Sequence, residues 1–522
     1  MAAKYKTPGV YLTEVNAFPN SVAPVATAIP AFVGYTPQAE YQGESYLNKP
    51  IKIRSWIEFL AFFCYPQKGK SQPQQYSPNY FVNSTKGDIA AKNQLSFAQR
   101  DYVISPDPST IYYLYLSVML FYQNGGGDAY IVSVGNYGEP SGKALKHTDP
   151  LVNSNVSLND LLQGLYLLKK ETEPTMYIFP EATLLSASEY AKLTQAMLRQ
   201  CEELGTAISI LDVPCGGSPD QLDYARAIED FRSRTGNNGL SYGAAYFPFL
   251  YTNLLQIGDL DYTNLFAGDI EQLEALLNPK DSDPALKNVF DMIKGNKDQS
   301  MAVDQLNHGL LRSSEFYTII YSKLLDLANL LPPSGGMAGV ISTNDMMKGV
   351  WYSPANVSIA SVRGVPVSLN DAQQSTLNVD AFSGKSINAI RTFPGVGVLV
   401  WGARTLDGNS LDLKYINVRR MLIYLEQSCK IAVKTYAFEP NNQRTWTALN
   451  SIISSFLIDL WKQGGLAGAS AQDAFQVECG LGITMSAVDI LEGRIVLSIK
   501  VALTRPAEFV VITIQQQMTK SA

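Results

Sequence analysis

Phosphate-binding signals are incomplete in this sequence of 522 residues. The glycines at 125–127 stand between a predicted helix and a predicted strand, whereas a dinucleotide-binding loop needs its glycines after a strand and before a helix. Gly-Lys-Ser occurs at 69–71 and at 384–386, but a phosphate-binding loop also needs an earlier glycine, at the positions where this chain has Cys64 and Val379. Neither pattern predicts a nucleotide site.

The histidines and cysteines are poor candidates for catalytic groups or metal ligands. His147 lies in a polar loop and His308 in a polar helical stretch, and neither has the strand-end setting that Ser-His-Asp catalysis uses. The cysteines form no CxxC pair and are expected to be reduced, buried side chains: Cys64, Cys201, Cys215, Cys429 and Cys479. We therefore predict no catalytic residue, no metal site, no cofactor and no enzymatic activity. An enzyme would need a site assembled from residues far apart in the sequence.

The composition is that of a globular protein with little charge. Hydrophobic residues make up 46%, charged residues 17%, and the net charge is −6. Because there is no basic excess to neutralise phosphates, we predict no nucleic-acid partner. The longest apolar runs fall far short of the ~20 residues that span a bilayer, and the N-terminus lacks the apolar core of a signal peptide. We expect a cytoplasmic protein that does not insert into a membrane.

Strands alternate with helices over the middle of the chain. Strands are predicted at 128–134 and 206–213, and helices at 187–205 and 218–236. Ser218 is the expected N-cap of the second helix. The alternation predicts an α/β fold, α+β overall, with a mostly parallel sheet.

Two amphipathic helices and a long strand are predicted in the C-terminal part. The second helix, at 442–463, has one apolar stripe made of Trp446, Leu449, Ile453, Phe456 and Leu460. Arg444 and Lys462 lie on its opposite, polar face. Residues 494–503 alternate strictly between apolar and polar side chains, which predicts a half-buried strand that ends at Pro506.

Both chain ends contain an extended segment without a partner strand of its own. Residues 505–518 (RPAEFVVITIQQQM) are apolar on both faces, and no hairpin turn joins them to the strand before. Residues 9–15 (GVYLTEV) form a second segment of this kind. Because an exposed edge strand promotes aggregation unless a partner is intended, we predict that each segment pairs with another copy of the protein.

Long motifs in the sequence carry a family resemblance. They are KTPGVYLTEV (6–15), TAIPAFVGYT (27–36), PPSGGMAGVISTNDMMKGVWYSPAN (332–356), FPGVGVLVWGARTL (393–406) and YINVRRMLIYLEQS (415–428). These motifs resemble the tail sheath proteins of contractile phages, in particular the sheath subunits of phage-tail-like extracellular contractile injection systems.

The resemblance implies a structural subunit that polymerises as stacked six-subunit rings around an inner tube and contracts to drive the tube through a target envelope. The implied partners are further copies of itself, the inner tube protein, baseplate and terminator or cap proteins, and sheath paralogues in particles that have them. Such a particle is assembled in the bacterial cytoplasm and is virion-like or an extracellular injection system. The alternatives are a non-contractile tube or shell protein and the enzyme with a noncontiguous site.

The resemblance also implies a domain organisation. It comprises an N-terminal arm with the first part of an inner domain (1–35), a variable outer insertion (36–105), an α/β middle domain of the type called subtilisin-like (106–385), a C-terminal, tube-facing inner domain (386–505) and a C-terminal arm strand (506–522).

The site residues follow from this organisation. Strand pairing between subunits is expected at Val10, Tyr11, Leu12, Thr13, Glu14 and Val15, and at Phe509, Val510, Val511, Ile512, Thr513 and Ile514. One of the two C-terminal helices is expected to face the tube, and we favour 442–463. Arg444 and Lys462 are then either partners for tube carboxylates or solvated residues of the helix surface. Deleting residues 507–522 is expected to leave a folded but unpolymerised subunit.

Overall fold

The computed structural model describes residues 21–66, 73–85, 93–146, 149–296 and 301–509. The described chain divides into two compact units. The larger unit contains residues 26–423 and 505–509, and the smaller unit contains residues 21–25 and 424–504. The chain therefore passes from one unit to the other after Val25, Ile423 and Thr504.

The strands of the described residues are numbered in chain order. They are β1 (Pro30–Thr36), β2 (Glu40–Tyr41), β3 (Glu44–Ser45), β4 (Pro50–Ile53), β5 (Tyr80–Thr85), β6 (Gln94–Phe97), β7 (Arg100–Pro106), β8 (Ala129–Asn136), β9 (Met176–Ile178), β10 (Ile208–Asp212), β11 (Gly243–Phe247), β12 (Leu250–Thr252), β13 (Leu330–Leu331), β14 (Val357–Ser358), β15 (Val362–Gly364), β16 (Asn388–Phe393), β17 (Gly397–Trp401), β18 (Phe475–Glu478) and β19 (Ser498–Val501).

The α-helices are numbered in the same way. They are α1 (Trp56–Phe63), α2 (Leu114–Gln123), α3 (Leu158–Leu167), α4 (Ala187–Leu204), α5 (Gln221–Arg234), α6 (Ile270–Leu277), α7 (Pro284–Gly295), α8 (Val303–Ser313), α9 (Glu315–Ala328), α10 (Ser334–Lys348), α11 (Asp371–Asn378), α12 (Ile416–Lys434), α13 (Gln443–Lys462), α14 (Ala471–Ala474) and α15 (Ala487–Leu491). None of the described helices is long and apolar enough to cross a membrane.

A nine-stranded sheet forms the centre of the larger unit, in the order β14–β17–β16–β11–β10–β9–β1–β8–β4. The strands from β16 to β8 in this order run parallel, while β4 at one edge and β17 and β14 at the other pair antiparallel. Every residue of β1, β10 and β11 is buried, as expected for parallel strands covered on both faces. The prediction of an α/β fold with a mostly parallel sheet is confirmed.

Helices cover both faces of this sheet. Phe32 and Val33 are consecutive in β1, so their side chains point to opposite faces. The Phe32 ring contacts Phe121 of α2, with 5.5 Å between the ring centroids. Val33 lies against Gly164 of α3, where an added Cβ would come within 2.4 Å of the valine side chain. Glycine therefore lets α3 approach the strand closely, on the face opposite α2.

Local side-chain caps define where the helices of this layer begin. A capping box of Ser186 and Glu189 starts α4. The prediction that Ser218 caps the next helix is wrong, because the Asp220 carboxylate accepts the hydrogen bonds from the first N–H groups of α5. The Ser218 hydroxyl instead donates to the Asp223 carboxylate, at 3.3 Å.

Strands from the predicted outer insertion and the predicted inner domain belong to the central sheet, and the domain boundaries themselves stay a prediction. Within the predicted outer insertion, β4 pairs with β8 at the edge of the central sheet. Within the predicted inner domain, β16 and β17 belong to that sheet as well, and the smaller unit begins only at Tyr424. An apolar run such as that of β17 predicts a buried strand, but it does not show which sheet the strand joins.

The smaller unit is built around α13. Its inward face carries the predicted apolar stripe, with Trp446, Leu449, Ile453, Phe456 and Leu460 all buried. The side chain of Asn450 donates to the Val477 carbonyl at 2.8 Å and so joins α13 to β18. The amphipathic character predicted for this helix is confirmed.

The last described strand is shorter than predicted. The alternation of residues 494–503 predicts a long strand, whereas β19 contains only Ser498–Val501. Its partner β18 is equally short. A glycine turn at Gly493, with φ +70°, precedes β19. Strand length is set here by the pairing partner, which the alternation does not reveal.

Candidate functional site

The β18–β19 sheet offers the outer edge of β19 for pairing, whereas on β18 the Val477 carbonyl already accepts a hydrogen bond from Asn450 of α13. Its antiparallel register runs from Phe475 opposite Val501 to Glu478 opposite Ser498. Within the described ranges each strand has one strand neighbour, and beyond β19 a bridge joins Leu466 to Leu503. A two-stranded sheet is marginal by itself, and its unpaired N–H and C=O groups are ready to accept a further strand.

The connection between these two strands, residues 479–497, exposes large apolar side chains. Leu491 is 87% exposed and Ile483 is 68% exposed, and they are accompanied by Leu481, Val488 and Val496. Scattered apolar residues are ordinary on a surface, but a concentration of this kind in one connection is typical of a surface that a partner covers.

The predicted tube-facing residues lie on the solvent side of α13. Arg444 and Lys462 are both exposed, about 27 Å apart along the helix at ~1.5 Å per residue. Neither forms an ion pair with a described residue. The helix therefore presents two cations on one face, and their contact with a tube stays a prediction.

The predicted arm strands lie almost wholly outside the described residues. Val10, Tyr11, Leu12, Thr13, Glu14 and Val15 fall there, as do Val510, Val511, Ile512, Thr513 and Ile514. Phe509 is the last described residue, and its side chain is 73% exposed. Strand pairing by these segments stays a prediction.

A site that the sequence did not suggest lies just before Phe509. The Glu508 carboxylate accepts hydrogen bonds from both Nε and Nη2 of Arg404, with Nε–Oε1 and Nη2–Oε2 distances of 2.9 and 2.7 Å. Tyr415 donates its hydroxyl to the same carboxylate at 3.0 Å, and Asn378 donates its side-chain amide at 2.8 Å. Burial raises the pKa of Glu508, but the hydrogen bonds from Arg404 and Asn378 outweigh this effect and hold it below its usual value.

Two buried carboxyl groups lie beyond strands of the central sheet. Glu181 follows β9 and accepts hydrogen bonds from the N–H groups of Tyr113 and Leu114, at 3.2 and 2.7 Å. Asp212 ends β10 and accepts from the N–H and hydroxyl of Ser334 at 2.8 and 2.6 Å. Burial raises the pKa of Glu181 to about 8 and that of Asp212 to about 7.

Within the described residues, both acids accept hydrogen bonds at helix ends and neither has a histidine as a hydrogen-bond partner. Leu114 and Ser334 are the first residues of α2 and α10, whose N–H groups lack partners within the helix. His308 is exposed on α8 beside Asp304, at 3.4 Å, and His147 lies outside the described residues.

The described cysteines do not suggest a site either. The expectation that all are buried is wrong for Cys215, which is exposed, and for Cys479, which is partly exposed. Among the described residues, no group of three or more histidine, cysteine or acidic side chains is placed to hold a metal ion.

Residues 409–517 match the family model described as the phage tail sheath C-terminal domain. This range contains α12, α13 and the β18–β19 sheet, together with the motif at 415–428. The tail sheath protein of Vibrio phage KVP40 is 28% identical over 150 residues, which are 29% of this chain and 22% of that protein. The match with this curated relative thus spans about a fifth of its length.

Solved structures extend the likeness over the whole chain. The sheath complex of PVC, an extracellular contractile injection system, in its contracted state has a TM-score of 0.58 and 22% identity, and the alignment covers 99% of both chains. This chain has the sheath-protein fold. The helical sheath of the anti-feeding prophage, also contracted, has a TM-score of 0.58 and 23% identity over 98% of this chain and 100% of that chain. The resemblance predicted from the motifs is confirmed.

Proposed function

We propose that this chain is the structural subunit of a contractile sheath. It polymerises as stacked six-subunit rings around an inner tube and contracts to drive that tube through a target envelope. The observation that carries the proposal is the sheath-protein fold over 99% of a PVC sheath chain. In this role the protein is not an enzyme, and its partners are further copies of itself, the inner tube, the baseplate and the cap proteins.

Subunits are joined by strand addition at the β18–β19 sheet. This sheet accepts the arm segments Val10–Val15 and Phe509–Ile514 of neighbouring copies. Each added strand makes several backbone hydrogen bonds, worth ~0.5–1.5 kcal/mol each after the loss of water contacts. The contact is head to tail, so it propagates along a ring or a helix.

The apolar connection at 479–497 supports the same role for the smaller unit. Side chains such as Ile483 and Leu491 have no cover within the described chain, and a neighbouring subunit or arm would remove them from water. Arg444 and Lys462 then serve as contacts to carboxylates of the inner tube.

Truncation of the C-terminal segment tests this proposal. Because Glu508 is bound within the larger unit, the deletion that removes only the arm is 510–522. We expect the full chain to form tubes in negative-stain electron microscopy, and the truncated chain to keep its unfolding temperature but stay unpolymerised. Deletion of 519–522, beyond the predicted strand, is the matched control and should polymerise like the full chain.

Three outcomes would contradict the proposal. Tubes formed normally by the 510–522 deletion would exclude strand addition by this segment. Tubes with one fixed diameter under all conditions would favour a non-contractile tube or shell protein. A stable monomer that never polymerises would favour the enzyme with a noncontiguous site.

A further inference from the structure

Glu508 is held by groups that are themselves fixed to the central sheet. The Arg404 N–H donates to the Asn388 side-chain oxygen at 2.8 Å, and the Asn388 amide donates back to the Arg404 carbonyl at 2.8 Å. The same amide donates to the Ala245 carbonyl at 3.0 Å, so Asn388 ties Arg404 to both β16 and β11. Arg404, which donates the hydrogen bonds to Glu508, is therefore fixed to the parallel sheet.

The pair is largely desolvated. The Arg404 side chain is 6% exposed and that of Glu508 is 19% exposed. By contrast, Arg505, in the same segment, pairs with Asp412 at 3.3 Å with side-chain exposures of 52% and 85%. A bidentate pair with little solvent contact holds its partners far more firmly than an exposed one.

Resting on the proposed function, we propose that the Glu508–Arg404 pair is the anchor of the C-terminal arm. Glu508 positions the segment that follows, so that a neighbouring subunit holding Val510–Ile514 pulls directly on the central sheet through Arg404. The partner that we propose beyond this anchor is a second copy of this chain, because residues 509–514 are predicted to form a strand that no hairpin turn joins to the strand before it.

The anchor determines the length of chain between the last fixed residue and the segment that a neighbouring copy binds. With Glu508 bound, the tether to the proposed acceptor begins at Phe509. Without it, the nearest preceding side-chain contact is the exposed Arg505–Asp412 pair, so release of residues 506–508 lengthens the tether by about 10 Å at ~3.3–3.6 Å per residue. A longer tether lowers the effective concentration of the arm at its acceptor and loosens the mechanical link between subunits.

Two readouts test the anchor, and the matched control is Asp412→Asn, which breaks the exposed pair that Arg505 of the same segment forms. The first is amide hydrogen exchange of residues 505–509 in dilute, unassembled protein. The second is the critical concentration for tube formation. For Glu508→Ala we expect both exchange and critical concentration to rise at least about tenfold, since loss of one hydrogen bond to a charged group shifts an equilibrium by roughly that factor. Asp412→Asn should leave both within about twofold.

A second variant distinguishes loss of the anchor from misfolding. Glu508→Ala leaves Arg404 buried without its counter-charge, whereas the double variant Arg404→Met with Glu508→Met removes both charges at similar volume. The double variant should recover the unfolding temperature of the parent chain but keep the raised exchange and the raised critical concentration. If the double variant recovered the parent values of unfolding temperature, exchange and critical concentration, the pair would serve stability alone and the proposal would be overturned.

The outcomes separate the anchor from the proposed function. If the parent chain forms no tubes, the sheath function fails and the exchange readout alone decides the anchor. If the parent chain forms tubes while Glu508→Ala assembles at the parent concentration, the sheath function stands and the anchor is refuted. Unchanged exchange at 505–509 in Glu508→Ala refutes the anchor in either case.

Discussion

Arg420 and Asp345 form a bidentate ion pair in the larger unit, with Nη1–Oδ1 and Nη2–Oδ2 distances of 2.8 and 2.5 Å and side-chain exposures of 3% and 5%. Arg420 also donates to the Thr27 carbonyl at 2.8 Å. The pair therefore holds α10, α12 and the segment that leads into β1. Asp345→Asn leaves the guanidinium buried without its counter-charge, and we expect it to lower the free energy of unfolding by about 3–5 kcal/mol in urea titrations.

The matched control for this prediction is an exposed pair in the same unit. Arg363 and Asp326 pair with 48% and 38% of their side chains exposed. Since solvent screens such a pair, Asp326→Asn should change the free energy of unfolding by only about 0–1 kcal/mol. Equal losses of unfolding free energy in Asp345→Asn and Asp326→Asn would mean that burial does not increase the contribution of the Arg420–Asp345 pair to stability.

The buried Glu181 predicts a particular dependence of stability on pH. Its folded-state pKa of about 8 lies above the ordinary glutamate value of 4.5, so the folded protein retains a proton that the unfolded chain has lost. The resulting stabilisation is complete below pH 4.5, falls as the pH rises, and is lost above about pH 8. The slope reaches at most about 1.4 kcal/mol per pH unit for this group.

Glu181→Gln should abolish this contribution. Glutamine resembles the protonated acid, so the variant and the parent chain should have similar unfolding free energies near pH 5, and the variant should be the more stable above pH 8. Urea titrations at a series of pH values measure both effects, with the exposed Glu203→Gln on α4 as the control that keeps the parent slope. A Glu181→Gln variant with the parent slope would show that another group, such as Asp212, causes it.

The left-handed end of α4 predicts a backbone effect at Gly205. Its φ is +61°, and a Cβ added there would meet no other heavy atom within 4 Å. Gly205→Ala should therefore cost about 1–2 kcal/mol of unfolding free energy through backbone strain alone. Gly295, at the end of α7, has equal space but no positive φ, so Gly295→Ala should be neutral or stabilising by up to about 1 kcal/mol. Equal effects at the two glycines would contradict this account.

Local patterns predicted much of this fold. The stripe that runs from Trp446 to Leu460 identified α13, because helical periodicity depends only on residues a few positions apart. The alternation of helices and strands likewise predicted the parallel sheet.

Contacts between distant residues escaped prediction. Glu508 and Arg404 are separated by 104 positions, and Arg420 and Asp345 by 75 positions. Each of these four residues looks locally like an ordinary surface charge, and only the fold brings the partners together and removes them from water. The length of β19 escaped prediction for a related reason, since its partner β18 limits it.

The two candidate tube-facing helices can be distinguished by charge reversal. If α13 faces the tube, Arg444→Glu together with Lys462→Glu should prevent assembly around purified tubes and leave the unfolding temperature unchanged, because both side chains are exposed. The matched control reverses Lys430 and Lys434, two exposed cations of α12. Co-sedimentation with tubes, measured as a function of salt concentration, should fall with added salt for the parent chain and the α12 variant but rise for the α13 variant, since salt screens both attraction and repulsion beyond ~8–10 Å. Loss of binding in the α12 variant alone would assign the tube contact to α12.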